Sequence, residues 1–122
     1  MKLSHLNLCV SNLSEAVAFF QNVFDFQLVD QKGEFIAALT DDHGFSLVLS
    51  SLRSGQNEAA PYPKDFHLGF YVDTMMEVDH FYNKLAATGI SLEHEPRMIR
   101  GGYTLYFTAL DGILFEVTCY NC

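Results

Sequence analysis

Two βαβββ modules in tandem, an α+β fold, are what this sequence predicts, and three observations carry the prediction. A strand-like segment led by histidine opens each half, at His5 and at His67. A capped amphipathic helix follows each of them, and short alternating strands close each half. Shifting the chain by 62 residues sets His5 on His67, Leu6 on Leu68, Val10 on Val72, Asn12 on Thr74, Glu15 on Glu77 and Phe19 on Phe81. Later in the modules a shift of 68 sets Thr40 on Thr108 and Gly44 on Gly112, which brings Val48 to the place of Glu116. The expected architecture is a curled mixed sheet with the helices on the outside. Residues 1–52 form the first module, 53–65 a linker loop and 66–122 the second module.

The elements follow in order. Leu3–Val10 alternates, with Leu6, Leu8 and Val10 on one face and Leu3, His5, Asn7 and Cys9 on the other. Asn12 with Glu15 is a capping box, and Leu13, Ala16, Val17, Phe20, Val23 and Phe24 share one helical face. Strands are expected at Phe26–Val29, Glu34–Thr40 and Phe45–Ser50, parted by Gly33 and by the Asp41–Gly44 turn. From Ser51 to Lys64 the pattern gives way to Ser, Gly, Asn and Pro, as in a linker. It resumes at Asp65–Val72, with Phe66, Leu68, Phe70 and Val72 opposed to His67, Gly69 and Tyr71. Thr74 and Glu77 cap a helix whose apolar face is Met75, Val78, Tyr82, Leu85 and Ala86, bordered by Phe81, and Gly89 ends it. A short strand is expected at Ile90–Glu93, then a loop at His94–Pro96. The closing hairpin has one strand up to Thr108, a turn at Ala109–Gly112 and a second strand at Ile113–Thr118.

Composition narrows the function classes. With 49% hydrophobic residues and 14% aromatics, the 122-residue chain can bury a core. A net charge of −8 with seven Lys and Arg excludes the clustered cations that a nucleic-acid partner needs. No apolar run reaches the roughly 18 residues of a membrane span. Met1-Lys2 leads straight into a strand-like segment with no signal-like apolar stretch, so the expected location is cytoplasmic. Cys9, Cys119 and Cys122 lack metal-finger spacing and read as free thiols in a reducing compartment, with a bridge through Cys122 to another chain as the alternative.

The chemistry centres on Glu116. A carboxylate between Phe115 and Val117 is costly to bury without a partner. By alternation it shares a face with Leu114 and Thr118, while Ile113, Phe115 and Val117 turn to the helix. His5 and His67 hold equivalent places on the non-helical faces of their first strands. Two imidazoles and one carboxylate make a metal-ligand set that leaves coordination positions open. A lone strand histidine is more often a satisfied core residue. Two at equivalent positions, together with an inward acid, favour a divalent metal on His5, His67 and Glu116. His43, His80 and His94 are expected in solvent. Arg97 and Arg100, before Gly101-Gly102, read as solvated loop arginines, with a gate for an anionic substrate as the alternative.

With His5, His67 and Glu116 in a tandem βαβββ frame, the chain resembles the vicinal oxygen chelate superfamily over nearly its whole length. That superfamily holds glyoxalase I, extradiol dioxygenases, and fosfomycin- and bleomycin-resistance proteins. The resemblance implies a divalent ion (iron, manganese, zinc or nickel), a small-molecule substrate that chelates it through vicinal oxygens, and a homodimer. Glyoxalase I uses a fourth ligand at the place held here by Val48, so a three-ligand, dioxygenase-like site is favoured over it. Leu105-Tyr106, Ala109, Gly112 and Glu116 match the extradiol signature, which makes Tyr106 the catalytic, substrate-bonding tyrosine. The signature's proline is Leu110, and its histidine has no counterpart in Arg97–Ile99. The expected function is a metal-dependent lyase or dioxygenase. The alternatives are a non-catalytic bleomycin-resistance-type binding protein and a fosfomycin-resistance-type thiol transferase.

Overall fold

The computed structural model describes residues 1–52 and 62–122, and residues 53–61 of the linker expected at 53–65 lie outside them. The chain divides into two compact units, Met1–Ala60 and Pro61–Cys122. Each is a βαβββ module, and the predicted α+β class holds.

In the first unit β1 (His5–Val10), α1 (Leu13–Phe24), β2 (Gln27–Lys32), β3 (Ile36–Thr40) and β4 (Ser46–Ser51) build a sheet of order β1-β4-β3-β2. β1 runs parallel to β4 and the other pairs are antiparallel, as the helical crossover after β1 requires. The Asn12 side chain accepts the Glu15 N–H at 3.0 Å, which fixes where α1 begins. At the other end Asp25 turns left-handed (φ 58°) and its N–H returns to the Phe20 carbonyl. The five buried residues of α1 are Leu13, Ala16, Val17, Phe20 and Val23. They pack with Leu8, Val10, Ala37, Leu39, Leu47 and Leu49 from one face of the sheet.

The second unit repeats the plan with β5 (His67–Tyr71), α2 (Met75–Ala87), β6 (Arg97–Ile99), β7 (Gly102–Ala109) and β8 (Ile113–Tyr120), in the order β5-β8-β7-β6. Thr74 Oγ1 accepts the Glu77 N–H at 3.1 Å, and Gly89 takes the left-handed position after the Thr88 C-cap. The core is Val78 and Leu85 from α2 against Leu105, Phe107, Ile113, Phe115 and Val117, with the Phe107 and Phe115 rings stacked at 5.3 Å. The apolar face of α2 is narrower than its sequence suggests. Met75 and Ala86 are exposed, and Tyr82 is only partly covered.

The second strand of this unit is not at Ile90–Glu93 but at Arg97–Ile99. The reason lies beyond it. Arg100 and Gly101 form a two-residue hairpin turn with φ 50° and 81°, so only residues directly before the turn can pair with β7. Pro96, with no N–H to give, stops the pairing on the other side. The cysteine reading also changes. Cys119 and Cys122 are bonded to each other across a separation of three residues, while Cys9 carries an exposed thiol. No described helix is long and apolar enough to cross a membrane.

Candidate metal and substrate site

The site grows from the register of the second sheet. Glu116 lies on β8 between Gly69 of β5 and Tyr106 of β7, and Leu114, one side-chain step before it, lies beside His67. Ile113, Phe115 and Val117 are fully buried on the helix side, which leaves Leu114, Glu116 and Thr118 on the opposite face. His67, Glu116 and Tyr106 therefore share one face, as alternation predicts.

His67 Nε2 stands 3.6 Å from Glu116 Oε2, with side-chain exposures of 46% and 16%. The other ring nitrogen, Nδ1, is 2.9 Å from the Asp65 carbonyl oxygen. A carbonyl only accepts, so Nδ1 carries the proton and donates it. In the neutral ring the Nε2 lone pair then faces a carboxylate, and two acceptors so placed need a proton or a cation between them. Two donors held about 2.1–2.2 Å from one ion at a near-tetrahedral angle sit about 3.4–3.6 Å apart, so the pair fits a divalent metal. A histidine tied to a backbone carbonyl through its other nitrogen is a common support for metal ligation.

Glu116 has its own support. Thr118 Oγ1 donates to Glu116 Oε1 at 2.8 Å and lies 3.1 Å from Thr104 Oγ1. Both threonines are buried, at 2% and 3% exposure. One carboxylate oxygen is thus held by a hydroxyl and the other is presented to His67. Gly69 adds no wall. A Cβ there would lie 3.8 Å from Glu116 Oε2, so the strand leaves space beside the carboxylate. Tyr120 closes the far side, with its ring 5.3 Å from Tyr71. Its ring also covers Gly102, where a Cβ would come within 2.9 Å of both Tyr120 and Thr118. Loss of water around the Tyr120 phenol raises its pKa, and the nearby Glu116 charge acts in the same direction.

Two openings meet at Tyr106 and Leu114. One is a cleft of about 480 Å³ lined by Asp65, His67, Arg100, Tyr106 and Leu114. The other, about 220 Å³, reaches from Tyr106 to Glu93, His94, Glu95 and Arg97. Arg100 is not simply solvated, because its Nη1 donates to Tyr106 Oη at 3.3 Å. His94 is exposed and lines the smaller opening, while His43 and His80 are exposed away from both.

His5 belongs to the first unit. It is exposed on β1 beside Ser46, with Nδ1 2.8 Å from Ser4 Oγ. Asn7 lies beside Val48, as Gly69 lies beside Glu116, so the register reproduces the equivalence of Val48 and Glu116. Among the described residues no three His, Cys, Asp or Glu side chains gather as a metal cage. The second unit alone contributes two donors. The Asp65 carbonyl, the threonine pair and the placement of Arg100 were not singled out from sequence. Only the threonines left a signal, as polar residues facing each other across a strand pair.

Residues 2–117 match the model of the glyoxalase/bleomycin resistance protein/dioxygenase superfamily. The chain belongs to this superfamily. Its members include the vicinal oxygen chelate proteins, so the predicted family holds. A metallothiol transferase FosB of Lysinibacillus sphaericus is 31% identical over 115 residues, covering 93% of this chain and 79% of that protein. A fosfomycin resistance protein FosX of Listeria innocua is 23% identical over 116 residues, covering 94% and 86%. Among solved structures of the superfamily fold, a possible glyoxalase from Bacillus cereus superposes with a TM-score of 0.85 at 31% identity, covering 98% and 99% of the two chains. A glutamate-to-glutamine mutant of FosX of Listeria monocytogenes, in complex with Mn(II) and 1S,2S-dihydroxypropylphosphonic acid, superposes with a TM-score of 0.80 at 24% identity, covering 98% and 90%.

Proposed function

We propose that this chain is a divalent-metal-dependent enzyme acting on a small substrate with vicinal oxygens, with His67 and Glu116 as ligands and His5 as the third. The observation that carries the reading is the His67–Glu116 pair, in which a tautomer fixed by the Asp65 carbonyl aims a lone pair at a carboxylate 3.6 Å away. A divalent ion bound there supplies Lewis-acid charge to two chelating substrate oxygens. Mn(II) in the related FosX structure supports a divalent ion of that kind. Thr118 holds Glu116 in place, and Gly69 leaves room for the substrate beside it. Tyr106 accepts a hydrogen bond from Arg100, which leaves its own O–H free to donate to a substrate oxygen.

Val48 in the place of a fourth ligand favours three ligands over the four of glyoxalase I. Between oxygen-dependent ring cleavage and addition to a chelated substrate, addition is preferred. β6 carries Arg97, Met98 and Ile99 and offers no histidine as acid or base. The relative at 31% identity is a metallothiol transferase. The test is metal analysis of untreated protein with His67→Ala and Glu116→Gln alongside. Wild type should retain close to one equivalent of a divalent metal and both variants should lose it. Full retention in both sinks the ligand assignment. Wild type that takes up no divalent ion yet holds an aromatic or peptide-like ligand makes it a binding protein instead.

A further inference from the structure

We propose that Cys119 and Cys122 are a reversible redox site, opened by low-molecular-weight thiols and closed by their disulfides, whose closed form holds Tyr120 as the far wall of the pocket beside Glu116. The site goes beyond the metal reading above and needs no ion at Glu116.

The first observation is what the bond encloses. Cys119 and Cys122 are joined across a separation of three residues, and Tyr120 lies inside the loop. β8 ends at Tyr120, which pairs with Gly102. Asn121 then turns left-handed (φ 58°), a conformation that asparagine tolerates, and Cys122 comes back to Cys119. The second observation is what Tyr120 does there. Its ring covers Gly102, meets Tyr71 at 5.3 Å and lines an opening of about 200 Å³ with Gly69, Glu116 and Thr118. The third is that the two sulfurs differ in access. Cys119 is 1% exposed and continues the buried row of Ile113, Phe115 and Val117, while Cys122 is exposed. A thiolate from solvent therefore reaches the Cys122 sulfur. The fourth is the length of the loop. So short a loop restricts the unfolded chain little, which makes the bond a weak staple, and Cys-X-X-Cys is the spacing of exchanging dithiols. In the exchange a small thiolate attacks Cys122 Sγ, the Cys119–Cys122 bond breaks, and Cys119 leaves with the electron pair and takes a proton from water. A second small thiolate attacks the small-molecule sulfur of the mixed disulfide and releases Cys122. In sum, one protein disulfide and two small thiols give one protein dithiol and one small disulfide, and excess small disulfide drives the reverse. The reduced Cys119 thiol has an acceptor in the Tyr120 carbonyl, 3.9 Å from its sulfur, so opening strands no buried donor.

The experiment equilibrates the full chain, without added metal, in a series of reduced and oxidised glutathione buffers. Acid quench, alkylation of free thiols and peptide mass mapping then report each cysteine. Cys119 and Cys122 should open and close together through one midpoint, reversibly and with the fold kept. In the same buffers, nuclear Overhauser contacts between the Tyr120 ring and the Gly102 α-protons should be present in the oxidised chain and lost in the reduced one. Hydrogen exchange at Tyr120, Asn121 and Cys122 should speed up about tenfold on reduction, while Ile113–Val117 stays unchanged. Cys122→Ser replaces an exposed residue, so it should fold like wild type and give the reduced pattern in every buffer. A pair that stays alkylated in the most oxidising buffer overturns the proposal. A bond that survives the most reducing buffer in the folded chain makes it a fixed staple and overturns it as well. Ring contacts that persist in the reduced chain or in Cys122→Ser show that the bond does not hold Tyr120, and they overturn it too.

Discussion

On β4 of the first unit Val48 stands beside Asn7, and on β8 of the second Glu116 stands beside Gly69. The strand order and crossovers around these two places are alike, yet one carries an aliphatic side chain and the other a carboxylate. Packing differs in the opposite sense. α1 buries five side chains and α2 buries two, Val78 and Leu85. The unit with the better-filled helix face carries no carboxylate at this place. The unit with the candidate chemistry spends two buried threonines on holding an acid. A repeated frame thus lets one copy fill this place with an aliphatic side chain while the other departs from apolar packing to hold a carboxylate.

The sharpest way to break this comparison is through the cores. Phe20→Ala removes a ring that is wholly buried in the first unit and should cost about 3–5 kcal/mol in urea unfolding. Leu85→Ala in the second unit should cost about 2–5 kcal/mol, toward the lower end because fewer helix side chains surround it. A larger cost for Leu85→Ala would reverse that difference in packing. Next in size is the ligand place itself. Glu116→Gln should weaken Mn(II) binding on the order of a hundredfold, about 2.7 kcal/mol, in an electron paramagnetic resonance titration. The same titration on Val48→Ala should give the wild-type curve, and a comparable loss there would mean that the two places are not distinct.

Smaller effects probe the supports. Thr118→Val removes the hydroxyl on Glu116 Oε1 and should weaken Mn(II) by about tenfold. Thr118→Ser should restore most of it, and a valine variant with full affinity would make the threonine pair a packing feature only. The smallest effect is confined to alkaline pH. Tyr103 donates to Asp79 at 2.6 Å, and that bond, with some desolvation, raises its pKa above 10.0. The folded state holds this proton more tightly than the unfolded chain does. The contribution is therefore present below the unfolded pKa and fades as pH rises through the folded one. Tyr103→Phe should be less stable than wild type at neutral pH, with the gap closing above about pH 10. A gap that stays constant through that range would show that the phenol proton is not involved.

Much of this was readable in advance, for reasons that can be named. Asn12 with Glu15 and Thr74 with Glu77 mark helix starts through local hydrogen bonds, and both appear as expected. Alternation along β8 put Glu116 opposite the buried Phe115 and Val117, because the strand period leaves no other choice. What escaped depends on partners far along the chain or on backbone atoms. The three residues of β6 are too few to show a period, and a turn placed after them decides their position. The proton on His67 is set by the Asp65 carbonyl, which every residue type carries and no sequence pattern reports. Arg100 gave no sign that a left-handed turn would fold it back onto Tyr106.

The missing side chain at Gly69 has a consequence of another kind. A glycine inside a strand loses more freedom on folding than alanine would, so β5 carries a standing cost of about 0.5–1 kcal/mol. With 3.8 Å between a hypothetical Cβ and Glu116 Oε2, alanine would fit without a clash. Sterics alone therefore do not require the glycine. A change that makes the strand sturdier would also narrow the approach to the carboxylate, so at this one position stability and access pull against each other.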